Sequence, residues 1–208
     1  MPGYFIVLEG IDTDILFELA EDLKDWMQRK DGVSVLITNE PTDGPLGAQL
    51  RLISNGRISM HEYAKALLFV ADRMDHYFGT GEEHGILADI QRGRMCISIR
   101  YLLSAYADYS DIASIEWLMK INSLFPWPDL MIFIDTPQED VLRRFVMEYG
   151  FDDAQLKAKS DELNSLRAKY FQIIELLREK GRRIEIIRSV GVTKIKRDCA
   201  ELVKQYFD

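Results

Sequence analysis

Apolar residues follow two different periods along the chain, and the two kinds of segment alternate. Short, almost continuously apolar runs rich in β-branched residues predict buried strands at residues 4–9, 33–37, 95–99, 130–134 and 183–188. Longer segments repeat their apolar residues every three or four positions, which predicts amphipathic helices. These helices are expected at residues 15–31, 46–53, 58–78, 83–91, 102–109, 112–124, 138–148, 153–179 and 193–206.

The alternation of strands and helices predicts an α/β fold with a parallel sheet, because parallel strands are joined by helical crossovers. We find no internal repeat, linker or low-complexity segment. A chain of 208 residues is an ordinary size for one such domain and can bury a substantial core. Residues 1–208 are therefore expected to form a single domain.

The composition excludes several function classes. The formal net charge is −8, from 26 basic and 34 acidic residues, and no basic stripe is present, which argues against a nucleic-acid partner. Cys96 and Cys199 lack C-x-x-C spacing and are expected to be buried free thiols in a reducing compartment. We see no signal peptide and no apolar run of membrane-spanning length, so we expect a cytoplasmic protein without a membrane partner.

The junction between the first strand and the first helix carries the most informative departure from a known motif. A phosphate-binding P-loop at this place has the form G-x-x-x-x-G-K-[ST]. Counting from Gly10, its second glycine, lysine and hydroxyl positions hold Ile15, Leu16 and Phe17. A β-branched residue resists the backbone curl of the loop, and neither Leu nor Phe can bind a phosphate or Mg²⁺.

Two acidic residues precede the same helix. Asp12 and Asp14 can stabilise its N-terminus, where carboxylates are favourable. The same carboxylates would repel a triphosphate. The junction thus has the position of a nucleotide loop without its chemistry, and we find no metal-ligand spacing among the three histidines.

Five motifs in order resemble those of the thymidylate kinases (dTMP kinases). They are FIVLEGID, TNEPTDGPLG, LLFVADR, IRY and PDLMIFIDTP, and they lie between residues 5 and 137. The resemblance extends to about residue 187. It implies a three-layer fold of the P-loop nucleoside monophosphate kinases, with a five-stranded parallel sheet, often as a homodimer. The family transfers a phosphoryl group from ATP to dTMP with Mg²⁺.

The resemblance implies that the acceptor side of this family's site is partly kept. Phe69 matches the phenylalanine that stacks on thymine, and Arg73 matches the arginine that contacts the base. Arg100 matches the arginine that reaches the acceptor phosphate. In the loop that frames the nucleotide, the matching residues are Glu40, Pro41 and Gly47. Tyr101 belongs to the Asp-Arg-Tyr motif and Ser104 follows it. Asp12 matches the aspartate at the start of the P-loop.

The resemblance also implies that the donor side is lost. Besides Ile15, Leu16 and Phe17, Ile99 replaces the aspartate of the Asp-Arg-Tyr motif, and Asn39 replaces an arginine. The lid of the family, usually rich in arginine, falls at about residues 145–160 and contains none, although two arginines lie just before it. Phosphoryl transfer depends on positioning and charge neutralisation, so these losses predict a catalytically impaired member of the family.

Several of these residues have structural explanations that stay open at the level of sequence. Phe69 lies among apolar residues and can be a core side chain instead of a base platform. Arg73 can form a surface ion pair with Asp72 or Asp75. Asp12 can cap the helix without binding a ligand.

Three functions remain possible from the sequence. The first is a binding or regulatory subunit that keeps a dTMP pocket, with no cofactor. The second is an active thymidylate kinase that uses ATP and Mg²⁺ through unconventional donor contacts, with Asp12 and Arg100 as its catalytic candidates. The third is a structural subunit with an occluded pocket. The apolar positions of the helix at 58–78 favour a homodimer or a heterodimer with a related chain.

Overall fold

The computed structural model describes residues 3–80 and 83–207. Its strands are β1 (Tyr4–Gly10), β2 (Val35–Asn39), β3 (Gly79–Thr80), β4 (Glu83–His84), β5 (Met95–Ile99), β6 (Leu130–Ile134) and β7 (Glu185–Ile187). Its helices are α1 (Thr13–Asp31), α2 (Pro45–Ser54), α3 (Glu62–Phe78), α4 (Ile86–Gln91), α5 (Leu102–Tyr109), α6 (Ile115–Ile121), α7 (Gln138–Tyr149), α8 (Asp153–Glu179) and α9 (Val192–Phe207).

The main sheet contains five parallel strands in the order β2-β5-β1-β6-β7. Side chains alternate between its faces, because successive residues of a strand point to opposite sides. Phe5 and Val7 belong to a core cluster with α3, α5, α6 and α8, whereas Ile6 and Leu8 belong to a second cluster with α1 and α9. This arrangement confirms the predicted three-layer α/β fold with a five-stranded parallel sheet.

The edges of several elements differ from the predicted ones. The helix predicted at residues 83–91 is wrong at its start, because Gly79–Thr80 and Glu83–His84 pair as an antiparallel ladder and α4 begins only at Ile86. Strands of two residues are too short to produce an alternating pattern. The helix predicted at 58–78 begins at Glu62 instead, where the His61 side chain accepts a hydrogen bond from the amide of Tyr63.

Helix α1 is bounded by signals that the sequence carries. Asp12 is its N-cap, and Gly32 ends it with a φ of 62°, a left-handed conformation that glycine adopts without a steric cost. The helix starts at Thr13, two residues earlier than its apolar pattern indicated. Only Ile11 and Asp12 therefore separate it from β1.

Candidate active site

The candidate site lies at the carboxyl edge of the sheet. The register pairs Leu8 of β1 and Asn39 of β2 with the same residue of β5, Ile99, so these three strands end side by side. Ligands of open α/β sheets bind in the crevice outside these strand ends. The loops that carry Asp12, Glu40 and Arg100 start at this edge.

At the β1–α1 junction, the side chain of Asp12 caps the N-terminus of helix α1. The Oδ1 atom of Asp12 accepts a hydrogen bond from the amide of Ile15 at 3.4 Å, and its carbonyl oxygen accepts one from the amide of Leu16 at 3.4 Å. These two amide groups therefore already have partners in the helix. An anionic side chain occupies the place where a helix N-terminus would otherwise attract a phosphate.

The side chains at the predicted phosphate and metal positions belong to the core or to the surface. Ile15 and Leu16 are 0% exposed and pack in the cluster under β1, whereas Phe17 is 40% exposed. Gly10 keeps a structural reason to be glycine, because a Cβ atom there would lie 2.7 Å from the carbonyl oxygen of Ile134.

Helix α7 lies against this junction through an arginine. The Nη2 atom of Arg144 donates to Oδ2 of Asp12 at 2.8 Å, and its Nη1 atom lies 3.8 Å from Glu18. Burial raises the pKa of Asp12 above its ordinary value, although Arg144 opposes the shift. Both carboxylate oxygens of Asp12 are thus engaged within the protein, which agrees with a capping role.

A cavity of about 250 Å³ lies beside the junction, and we call it the donor-side cavity. Its basic lining residues are Arg100, Arg144 and Lys159. Four carboxylates face the same space, so the lining is not positively charged overall. These carboxylates belong to Asp12, Asp14, Glu148 and Glu162.

Glu9 is a buried carboxyl group at the base of the site, and sequence reasoning missed it. It is 0% exposed, and its Oε1 atom accepts hydrogen bonds from the amides of Tyr101 at 2.9 Å and Ser104 at 3.2 Å. Its Oε2 atom has no hydrogen-bond partner in the described part of the chain. Burial raises the pKa of Glu9 to about 7, although the charge of Arg100 opposes the shift.

Arg100 follows β5 with a left-handed backbone. Its φ is 66°, an uncommon value for a residue with a side chain. Its amide donates to the carbonyl oxygen of Leu8 at 2.9 Å, and its carbonyl oxygen accepts from Ser98 Oγ at 2.9 Å. The surrounding strands thus hold the strained conformation, which is typical of functional sites.

The guanidinium of Arg100 is not free. Its Nη2 atom donates to Oδ2 of Asp108 on α5, and the two side chains are 22% and 29% exposed. Ile99 replaces the acidic neighbour of Arg100 in the Asp-Arg-Tyr motif, and Asp108 supplies an acidic partner from the next helix instead. The spacing of eight residues across a turn carries no recognisable signal.

A buried ion pair supports the loop that frames the predicted nucleotide pocket. Arg73 is 1% exposed and donates from Nε and Nη2 to Oε2 of Glu40 at 2.8 Å and 2.5 Å. Its remaining contacts are with Asn122 and the carbonyl oxygen of Tyr101. Burial alone would raise the pKa of Glu40, but Arg73 and His76 outweigh it and hold that pKa below its ordinary value. The surface ion pair considered for Arg73 is therefore wrong.

A second cavity of about 340 Å³ lies between α3, α5 and α8, and we call it the acceptor-side cavity. Pro41, Phe69 and Arg100 line it, as the resemblance implies. Phe69 is partly buried, and its ring meets that of Tyr109 at 6.0 Å and 66°. The acceptor-side cavity has equal numbers of acidic and basic lining residues. The acidic ones are Glu62, Asp108 and Glu162, and the basic ones are Lys65, Arg100 and Lys169.

A small space of about 10 Å³ lies beneath Phe69, large enough for about one water molecule. Arg73 and Ser104 border it, together with Arg100. Tyr101 lines none of the three cavities. Its side chain is 0% exposed, packs edge-on against Phe5 at 5.1 Å and donates to the carbonyl oxygen of Pro126, so its predicted place in a binding site is corrected to the core.

Two residues outside the predicted set brace the loop at residues 40–47. Arg51 on α2 donates to the carbonyl oxygen of Thr42 at 2.5 Å, and Asp72 on α3 accepts from the amide and hydroxyl of the same threonine at 2.8 Å and 2.6 Å. A Cβ atom at Gly47 would lie 1.9 Å from the Thr42 carbonyl oxygen, so the loop requires glycine there.

Comparison with known proteins decides the family. The thymidylate kinase family model matches residues 18–194. This chain belongs to the thymidylate kinase family. A Pyrococcus abyssi protein described as a probable thymidylate kinase is 35% identical over 98% of this chain and 97% of its own. The thymidylate kinase of Desulfotalea psychrophila is 29% identical over 98% and 96%.

The fold agrees with that of a solved family member. The crystal structure of thymidylate kinase from Ehrlichia chaffeensis aligns over 98% of this chain and 99% of its own, with a TM-score of 0.69 and 18% identity. Within the described ranges 3–80 and 83–207, no helix is long and apolar enough to cross a membrane. The same residues contain no group of three or more His, Cys, Asp or Glu side chains placed to hold a metal ion.

Proposed function

We propose that this protein is a catalytically impaired member of the thymidylate kinase family that keeps a dTMP-type pocket and acts as a binding or regulatory subunit. The observation that carries the proposal is the β1–α1 junction. Helix α1 begins at Thr13, Asp12 occupies its N-terminus, and Ile15 and Leu16 lie in the core. The lysine of a P-loop has no counterpart at these positions, and the amides of Ile15 and Leu16 already donate to Asp12.

The extent of the family match supports the proposal. It begins at Glu18, directly after the positions that would carry the phosphate-binding loop. The acceptor-side cavity supports the second half of the proposal, because Phe69 offers it a planar aromatic face. Such a cavity argues against a purely structural subunit.

A second candidate is an active kinase with unconventional donor contacts. The observation that favours it is the group of three cations, Arg100, Arg144 and Lys159, around the donor-side cavity. The curated relatives carry the name of the enzyme. All three cations are engaged, however, Arg100 by Asp108, Arg144 by Asp12 and Lys159 by Glu162. This candidate therefore requires ion pairs of the site to open, beginning with that of Arg144 beside the junction.

The two candidates are separated by a direct assay of dTDP formation from dTMP, ATP and Mg²⁺, with calorimetry of ATP and of dTMP alongside. The proposal predicts dTMP binding, no ATP binding and no dTDP above the blank without protein. Turnover proportional to protein concentration would refute it. If that turnover falls in Arg144→Ala but not in Arg143→Ala, on the same helix, the second candidate is correct.

A further inference from the structure

Arg100 stands where the cavities of the site meet. It lines the donor-side cavity, the acceptor-side cavity and the small space beneath Phe69. Asp108 borders the last two of these, and its carboxylate is the ion-pair partner of Arg100. The arginine that would meet a ligand phosphate therefore already holds an anion of the protein.

We propose that Asp108 is a specificity-determining residue of the acceptor-side cavity, and that by occupying Arg100 it makes the cavity bind an uncharged pyrimidine nucleoside in preference to its monophosphate. This inference rests on the proposed function, which places a thymine ligand in this cavity. It adds that the base and sugar, not the phosphate, supply most of the affinity.

The first argument is the charge of the cavity. A phosphate monoester carries about −1.5 to −2 charges at pH 7. Three acidic and three basic side chains line the cavity; Lys169 is paired with Asp111 and Glu162 with Lys159, both partners outside the lining, so the cavity has no excess of positive charge. A phosphate entering here has to displace the Asp108 carboxylate from Arg100 or lie beside it. Displacement breaks the ion pair, and lying beside the carboxylate brings like charges together, so both alternatives are unfavourable.

The second argument is an unused polar group that suits an uncharged ligand. Tyr109 lines the same cavity and is 3% exposed, and its hydroxyl has no hydrogen-bond partner among the described residues. A buried polar group without a partner is costly. A ligand carbonyl or hydroxyl group, or a single water molecule, can form the missing hydrogen bond with the Tyr109 hydroxyl, and none of these adds charge to the site.

The third argument is the rigidity of the arrangement. The backbone of Arg100 is fixed by Leu8 and Ser98, and Asp108 lies within the last turn of α5. Neither side chain lies on a long loop that could carry it away. The pair is 22% and 29% exposed, so it is sheltered enough for the attraction to survive moderate salt.

Calorimetry of the native protein and Asp108→Asn with thymidine and dTMP tests the inference. The native protein should bind thymidine more tightly than dTMP. In Asp108→Asn the affinity for dTMP should rise at least about 10-fold, while the affinity for thymidine changes less than about 2-fold. The double variant Asp108→Asn/Arg100→Ala should lose the gain. Asp161→Asn removes one carboxylate from the exposed surface of α8 and should change neither affinity.

A gain for both ligands alike, or no gain for dTMP, overturns the inference. Asp108→Ser removes the charge with a smaller side chain and carries the same expectation if Asp108→Asn does not fold. If the native protein binds neither ligand, the proposed function fails, and inorganic phosphate then decides the role of Asp108. Phosphorus NMR should detect phosphate binding to Asp108→Asn and not to the native protein or the double variant, and its absence in Asp108→Asn refutes the role.

Discussion

Glu9 offers the sharpest quantitative test of the site, because its carboxyl group is fully buried and one of its two oxygens, Oε2, has no hydrogen-bond partner among the described residues. Burial raises its pKa from 4.5 to about 7. The folded protein therefore keeps this proton at pH values where the unfolded chain has lost it. Folding is favoured on the acidic side, and the free energy of unfolding falls as the pH rises from about 4.5 to about 7.

The magnitude follows from the size of that pKa change. At about 1.36 kcal/mol for each pH unit, ionisable Glu9 removes about 3 kcal/mol of stability between pH 4.5 and pH 8. This is a large share of the roughly 5–15 kcal/mol that stabilises a typical domain. Glu9→Gln keeps an acceptor for the amides of Tyr101 and Ser104 but cannot ionise.

The measurement is urea unfolding of the native protein and Glu9→Gln, followed by circular dichroism at pH 5, 6, 7 and 8. The absolute stability of the variant is not the readout, since its new NH₂ group can lack a partner. The readout is the difference between the two proteins, which should move by about 2.5 kcal/mol in favour of Glu9→Gln between pH 5 and pH 8. Glu201→Gln, an exposed change on α9, should show no such trend. A difference that is constant with pH would refute the buried-carboxyl argument.

The other predictions concern the ion pair, the aromatic platform and the exposed face of α3. Arg73→Met should lower the free energy of unfolding by about 3–5 kcal/mol, since it leaves buried Glu40 without its arginine and with His76 as its remaining side-chain partner, and the double variant with Glu40→Gln should recover part of this loss in urea unfolding. Phe69→Ala should weaken thymidine and dTMP alike in calorimetry, by about 1–3 kcal/mol if the base stacks there; unequal losses would contradict stacking. Leu67 is 49% exposed beside Tyr63, and Leu67→Glu should convert a homodimer to a monomer in light scattering at about 50 µM, whereas a native monomer at this concentration would refute the dimer.

The sheet was predictable from the sequence because its strands are buried on both faces. The apolar runs at β5 and β6 have the same bounds in the structure as in the pattern. The acceptor residues were predictable only through the family motifs. Phe69 and Pro41 do line a cavity there.

The ionic contacts of the site were not predictable, because each depends on a tertiary approach. Arg144 lies 132 positions from Asp12, and Arg73 lies 33 positions from Glu40. The burial of Glu9 was hidden for another reason. It stands in an apolar strand whose other residues give no sign that a carboxyl group points into the interior.

The burial of Ile15 and Leu16 at the start of α1 makes a phosphate-binding loop hard to introduce at this junction by mutation. Replacing Ile15 with glycine would empty a buried position, at about 2–5 kcal/mol for the lost side chain and about 1 kcal/mol more for glycine in a helix. Replacing Leu16 with lysine would place an ammonium group in the core. Each single substitution towards a phosphate-binding loop lowers the stability of the protein before phosphate binding can compensate for the loss. Selection for a stable fold therefore opposes these substitutions one at a time.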